Sequence, residues 1–266
     1  MTVARRNNVH VKGSGPAMVF AHGFGCDQNM WRLLAPRYAS RFTTITFDQV
    51  GSGQSDLSAY DPVKYDSLHG YASDVIEILQ GFASAPAIFV GHSVGAMIGL
   101  LASLKAPELF AGHVMVGPSP CYIDDGDYRG GFSRADIDGL LQMLESNYLG
   151  WSSTMAPAIM GAPDQPELSV ELTNSFCRTD PDIAKQFARV TFLSDNRRDL
   201  PKVTTPSLII QSEEDIIAPL SVGEYLHDML PRNMLRVVEN VGHCPHLSAP
   251  SASANAIDEF LATLGY

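Results

Sequence analysis

Residues 87–105 read AIFVGHSVGAMIGLLASLK. The apolar run Ala87–Val90 has the form of a buried strand, and VGAMIGLLASL has the form of a helix. Between them stands Gly91-His92-Ser93-Val94-Gly95, a serine with a glycine two residues to either side. Glycines at those positions let the backbone make a sharp, strained turn at the strand end. Such a turn lifts the serine hydroxyl clear of the sheet, at the N-terminus of the following helix. The pentapeptide alone is short, but strand, turn and helix together are the context in which it carries chemistry.

Working outward, further apolar runs fall at Ala17–Ala21, Thr43–Phe47, His113–Val116, Ser207–Ile210 and Leu235–Val238. They are near-continuously apolar, as strands are when helices cover both sheet faces. Helical patterns alternate with them at Met30–Tyr38, Tyr71–Phe82, Val94–Leu104, Val222–Met229 and Ser251–Leu264. This alternation predicts an α/β fold with a mostly parallel central sheet flanked by helices. After Val116 it breaks. Helix-like stretches at Ala135–Asn147, Trp151–Met160, Val170–Cys177 and Pro181–Leu193 follow without a clear strand. A structureless loop of that length is uncommon inside a compact domain. The expected organisation is a core of residues 1–118 and 200–266, with residues 119–199 inserted as a helical lid.

A serine hydroxyl is a weak nucleophile unless a base takes its proton and an acid orients that base. Behind a turn of this kind the partners follow in the order Ser, then Asp or Glu, then His. Asp215 lies in QSEEDIIAP just past the run SLII, and His243 lies in VENVGHCPH after LRVV. Both positions fall at the sheet edge that also carries Ser93, where open α/β sheets place their sites. Glu213 and Glu214 compete with Asp215, and His246 competes with His243. The Ile216–Pro219 turn favours Asp215 as the acid. His246 is expected to be structural and hydrogen-bonded near its loop, and His92 to pack or hydrogen-bond beneath the serine turn. A metal at His243-Cys244-Pro245-His246 lacks a fourth ligand, so no metal is expected. His22-Gly23-Phe24-Gly25 follows the run MVFA. Its Phe24 amide and the Val94 amide are the two donors expected to hold an oxyanion. Gly51-Ser52-Gly53-Gln54-Ser55-Asp56 lacks the third glycine of a dinucleotide fingerprint, and reads instead as a tight turn at the same edge. No cofactor is expected.

Lys and Arg total 18 against 29 Asp and Glu, a formal charge of −11. An acidic chain without a basic run lacks the electrostatic footprint of nucleic-acid binding. No stretch approaches the ~18 apolar residues of a membrane span. The first residues, MTVARRNNVHVKGSG, have no apolar segment of a signal peptide, so a cytoplasmic location is expected. Cys26, Cys121, Cys177 and Cys244 are widely separated and read as free thiols.

Taken together, HGFGCDQNMW, VGSGQSDL, GHSVGAMIGLLAS, VGPSPCY, RTDPDIAKQFA, EDIIAP and GHCPH resemble the RsbQ-type hydrolases of the α/β-hydrolase fold. That group comprises bacterial regulators of the sigma-B stress response and has the plant strigolactone and karrikin receptors among its relatives. The resemblance implies Ser93, Asp215 and His243 as a catalytic triad, beneath a helical lid over a small, largely apolar pocket. It also implies slow hydrolysis of a small hydrophobic ester or butenolide-like lactone, or signalling by such a ligand through a protein partner at the lid. The pocket is expected to be lined by Phe24 and Val94 from the sheet side and by Phe132, Trp151 and Phe192 from the insertion. Carbon–carbon bond hydrolases use the same triad. They usually need polar groups for a substrate carboxylate, for which Arg129, Arg134, Arg178, Arg189, Arg197 and Arg198 are the candidates.

Overall fold

The computed structural model describes residues 1–266. Seven strands form one sheet: β1 (His10–Gly13), β2 (Ala17–Ala21), β3 (Thr43–Phe47), β4 (Ala87–His92), β5 (Phe110–Val116), β6 (Ser207–Glu214) and β7 (Asn233–Val241). Their order is β1-β3-β2-β4-β5-β6-β7. Only the β1–β3 pair is antiparallel; the other neighbours run parallel. Because β3 and β4 leave β2 on opposite sides, a crevice opens at the ends of β2 and β4, the switch point where such sheets bind ligands.

The helices are α1 (Val3–Arg6), α2 (Ala35–Tyr38), α3 (Leu68–Phe82), α4 (Val94–Lys105), α5 (Arg134–Ser146), α6 (Tyr148–Met160), α7 (Pro166–Arg178), α8 (Pro181–Phe192), α9 (Leu220–Met229), α10 (Pro245–Ser248) and α11 (Pro250–Thr263). Side chains alternate across the sheet as the two-residue period requires. Val19 and Phe89 join the core under α3, α4 and α9, while Met18, Phe20, Ile88 and Val90 join the core under α2 and α11. Every residue of α4 from Val94 to Ser103 is buried, so this helix forms the floor of the molecule rather than a surface. No helix is long and apolar enough to cross a membrane.

The expected strands are present, each at or beyond its expected bounds. β1 is an addition: all four of its residues are exposed, and a polar edge strand leaves no hydrophobic signature. The stretch expected as one helix over 30–38 divides into a 3-10 turn at Gln28–Trp31 and the short α2, which begins at the Ala35-Pro36 step. Pro36 lacks the N–H that a continuous helix would need there.

Four helices, α5 to α8, lie between β5 and β6. They form their own apolar cluster from Ile137, Leu141, Trp151, Leu172, Phe176 and Phe192, which also takes in Cys26, Ile217 and Cys244 from the core. Helix α5 opens with a reciprocal Ser133–Asp136 capping box, and α8 with the Asp180 carboxylate over two backbone amides. Two ion pairs tie α7 down, Arg32–Glu171 at 2.6 Å and Arg178–Asp27 at 3.1 Å.

Candidate active site

Ser93 stands between β4 and α4 with φ +54 and ψ −124, a conformation that costs a side-chain-bearing residue about 1–3 kcal/mol. The flanking glycines explain why the turn can exist. A Cβ on Gly91 would lie 2.6 Å from Ala96 N and Gly95 O, and one on Gly95 would lie 2.6 Å from His22 O. The backbone crosses itself here with no room for a methyl group. The Ser93 N–H donates to Val116 O at 2.8 Å, which anchors the turn to β5.

Asp215 follows β6 directly and is buried, whereas Glu213 and Glu214 are exposed. Its Oδ1 accepts the amides of Ile217 and Ala218 at 2.8 and 3.1 Å, so the carboxylate is held by its own turn. Oδ2 is then left to His243 Nδ1 at 2.7 Å. A carboxylate can only accept, so Nδ1 carries the imidazole proton. Nε2 is therefore a bare acceptor, and the Ser93 hydroxyl donates to it at 2.8 Å. Three residues far apart in sequence form one hydrogen-bonded chain.

His246 takes no part in it. It is fully buried between Trp31, with ring centroids 4.7 Å apart, and His92, at 4.4 Å. Neither ring nitrogen has a protein partner, so the expected hydrogen bond is replaced by tilted packing against the two rings. Burial pushes its pKa down to about 3 and holds that of His92 well below the ordinary imidazole value. Both rings are thus neutral where the His243 ring stands beside them. Nε2–H of His92 donates to the His243 carbonyl at 2.9 Å.

The turn after β2 presents its amides to the same crevice. Gln49 N–H donates to His22 Nε2 at 2.9 Å, which leaves Nδ1–H to donate to Gly23 O at 2.8 Å. The imidazole thereby fixes the turn that carries Phe24. The Phe24 amide has no backbone acceptor, and the Val94 amide, first in α4, has none within its helix. The Gly51–Asp56 segment is a tight turn gathered on Asp48, whose carboxylate accepts the amides of Gln28 and Gln54.

Over Ser93 lies a cavity of about 30 Å³, room for a water or two. Phe24 and Phe192 belong to its wall, together with Tyr122, Ile159, Leu172 and Phe176. Val94 and Trp151 lie outside the wall, Trp151 edge-on against Phe24 at 6.1 Å, and Phe132 sits in a bridge with Ile123. Phe24 also meets Phe176, Phe187 and Phe192 at 5.8–5.9 Å, so one ring of the β2 turn is enclosed by α6, α7 and α8. Tyr122, which the sequence reading passed over, stands beside Ser93, and burial raises its phenol to about 12. Its signal was its place in VGPSPCY, directly after β5 at the sheet edge. Cys26 and Cys244 also line the cavity, but burial raises both thiols and keeps them protonated. No arginine reaches the wall. Arg134, Arg178, Arg189 and Arg197 pair with carboxylates elsewhere, and Arg129 and Arg198 are exposed.

Residues 18–256 match the alpha/beta hydrolase family. The chain is 41% identical to "Karrikin insensitive 2 receptor CA" of Petunia hybrida over 250 residues, 93% of either protein. It is 36% identical to a strigolactone esterase of Pisum sativum over 254 residues, 94% of this chain and 95% of that one. Among solved structures, a hydrolase from Oleispira antarctica superposes with a TM-score of 0.95 at 42% identity, covering 98% of this chain and 96% of that one. The serine turn, the sheet order and these likenesses agree: the chain belongs to the alpha/beta hydrolase family, close to the strigolactone and karrikin receptor-like hydrolases.

Proposed function

We propose that this protein is a serine hydrolase that cleaves a small hydrophobic ester or lactone through an acyl-enzyme. Ser93 attacks the carbonyl while His243 takes its proton. The amides of Phe24 and Val94 hold the oxyanion, and His243 returns the proton to the leaving oxygen. Water, activated by the same imidazole, then releases the acyl group. Asp215 keeps the imidazole in the one tautomer that can do this and stabilises the imidazolium as it forms. The observation that carries this reading is the Ser93–His243–Asp215 chain at 2.8 and 2.7 Å.

An apolar wall without a cation supports an uncharged ester or lactone over the diketone acids that carbon–carbon bond hydrolases cleave. Relatives named as a strigolactone esterase and a karrikin receptor support a butenolide-like ligand. In this reading residues 119–199 are a lid over the core of residues 1–118 and 200–266. The cavity of about 30 Å³ is smaller than any such ligand. Entry therefore requires the lid to move, and this favours slow turnover coupled to a lid change that a partner protein can read. The test is p-nitrophenyl acetate turnover by Ser93→Ala. A loss of several orders of magnitude is expected, and wild-type activity would overturn the assignment.

A further inference from the structure

His243 is held by its main chain as well as by its ring. Its carbonyl accepts from His92, and its N–H donates to the carbonyl of Ile159 at 2.8 Å. Ile159 belongs to the last turn of α6, in the insertion, and it also lines the cavity. One residue thus touches both the space a ligand enters and the backbone of the imidazole that must meet Ser93.

Two glycines make this contact one of backbone on backbone. Gly161 caps α6 at φ +63, and a Cβ there would lie 2.8 Å from Gly242 Cα. A Cβ on Gly242 would lie 1.9 Å from Met160 O. The Gly242 N–H donates to Glu214 O at 2.7 Å, so the His243 loop is stretched between β6 and α6. The helix that supports it is tethered to the core more weakly than α7. Helix α7 has two ion pairs to the core and a bond from Ser175 Oγ to Gly25 O, whereas the hydrogen bond joining α6 to the core is the one to His243. Pro157 also removes a ladder bond one turn before the end of α6.

We propose that Ile159–Gly161 is a positioning element for His243, and that ligands too bulky for the cavity displace it. The chemical step then slows as the bound ester grows. This rests on the role proposed above for His243. An ester larger than the cavity must push the wall back, and α6 yields before α7. Its retreat loosens the Ile159–His243 bond and draws the imidazole away from Ser93. Displacements of about 1 Å at a reacting group cost on the order of 10²-fold in rate. The loss falls mainly on kcat, because Phe24, Leu172, Phe176 and Phe192 keep the ester in contact with the wall while His243 moves away from Ser93.

Gly161→Ala and Gly126→Ala form the test pair. Both glycines have φ near +60 (+63 and +58), so backbone strain is shared, but only Gly161 has backbone packed against it. On p-nitrophenyl acetate, Gly161→Ala should lose roughly 10–100-fold in kcat with a much smaller change in KM. The low-field proton resonance of His243 Nδ1–H should broaden with it, while Gly126→Ala matches the parent. Parental kcat and resonance in Gly161→Ala would overturn the proposal, whatever its melting temperature. The second measurement needs no change in α6. In Ser93→Ala, exchange of the His243 amide should quicken with either ester, and more with p-nitrophenyl hexanoate than with p-nitrophenyl acetate; equal exchange with the two would overturn the proposal. Ser93→Ala separates the two readings. If it is inactive and Gly161→Ala is fully active, only the role of α6 fails; if it retains turnover, the hydrolase reading fails as well.

Discussion

Ser93 and Phe176 face the same cavity from opposite sides, and they are held there by different means. On the Ser93 side, position is set by backbone and hydrogen bonds. A turn with no room for a Cβ at Gly91 or Gly95 presents the hydroxyl, Asp215 is oriented by two amides, and His22 pins the neighbouring turn. On the Phe176 side, position is set by packing among rings carried on amphipathic helices: Phe176 touches Phe24 at 5.8 Å and Trp151 at 5.4 Å. Backbone geometry tolerates almost no change, whereas packed side chains trade volume with modest penalties. On the proposed hydrolase reading, the first side suits chemistry that must be exact in place, and the second suits recognition that can be retuned.

The sharpest way to break this comparison is to leave every atom of the core side in place and change one charge. Asp215→Asn keeps the shape but lets Nδ1 accept instead of donate, which turns the imidazole the wrong way round. Turnover of p-nitrophenyl acetate should fall by about 10⁴-fold with little change in KM. A loss under tenfold would mean that the carboxylate does not set the tautomer.

Phe176→Ala tests the other side. The side chain is fully buried, and its removal should cost about 3–5 kcal/mol. If the two sides are separately built, urea unfolding will show the loss as faster amide exchange in α6 and α7, with β4 and α4 unchanged. Uniform loss of protection across the sheet would show instead that insertion and core stand or fall together.

A further prediction concerns acid. His92, His113 and His246 are buried and neutral, with folded pKa values below the ordinary 6.5, for His113 and His246 about 3. Below about pH 6.5 the unfolded chain binds protons that the folded chain refuses. Stability is therefore fully present above that pH and falls as pH drops toward 3, by about 1.4 kcal/mol per unit for each histidine. His246→Phe should lower the slope of stability against pH by one proton; an unchanged slope would mean that His246 is protonated in the fold.

The same contrast explains what could be read from the sequence. The strands, the serine turn and the turn at Asp215 were legible because glycines and apolar runs at fixed spacing are demanded by backbone geometry. Asp215 stood out from Glu213 and Glu214 through the turn that follows it. The cavity wall was not legible in the same way. Phe132, Trp151 and Phe192 have equal standing as aromatics between β5 and β6. Which of them reaches the cavity depends on how α5 to α8 cross, and no local pattern encodes that. The fit of Gly161 against Gly242 was hidden for the same reason, since each glycine is explained only by the other's backbone. β1 escaped because its four exposed residues have no apolar period to read.

The account turns on a covalent acyl group at Ser93. Rapid-quench mass spectrometry of the protein mixed with p-nitrophenyl acetate measures it directly, with Ser93→Ala run alongside. One acetyl group on the peptide bearing Ser93, formed in step with p-nitrophenol release and absent from the variant, is the predicted result. Steady p-nitrophenol release without that adduct, or with the acetyl group on another residue, would contradict it.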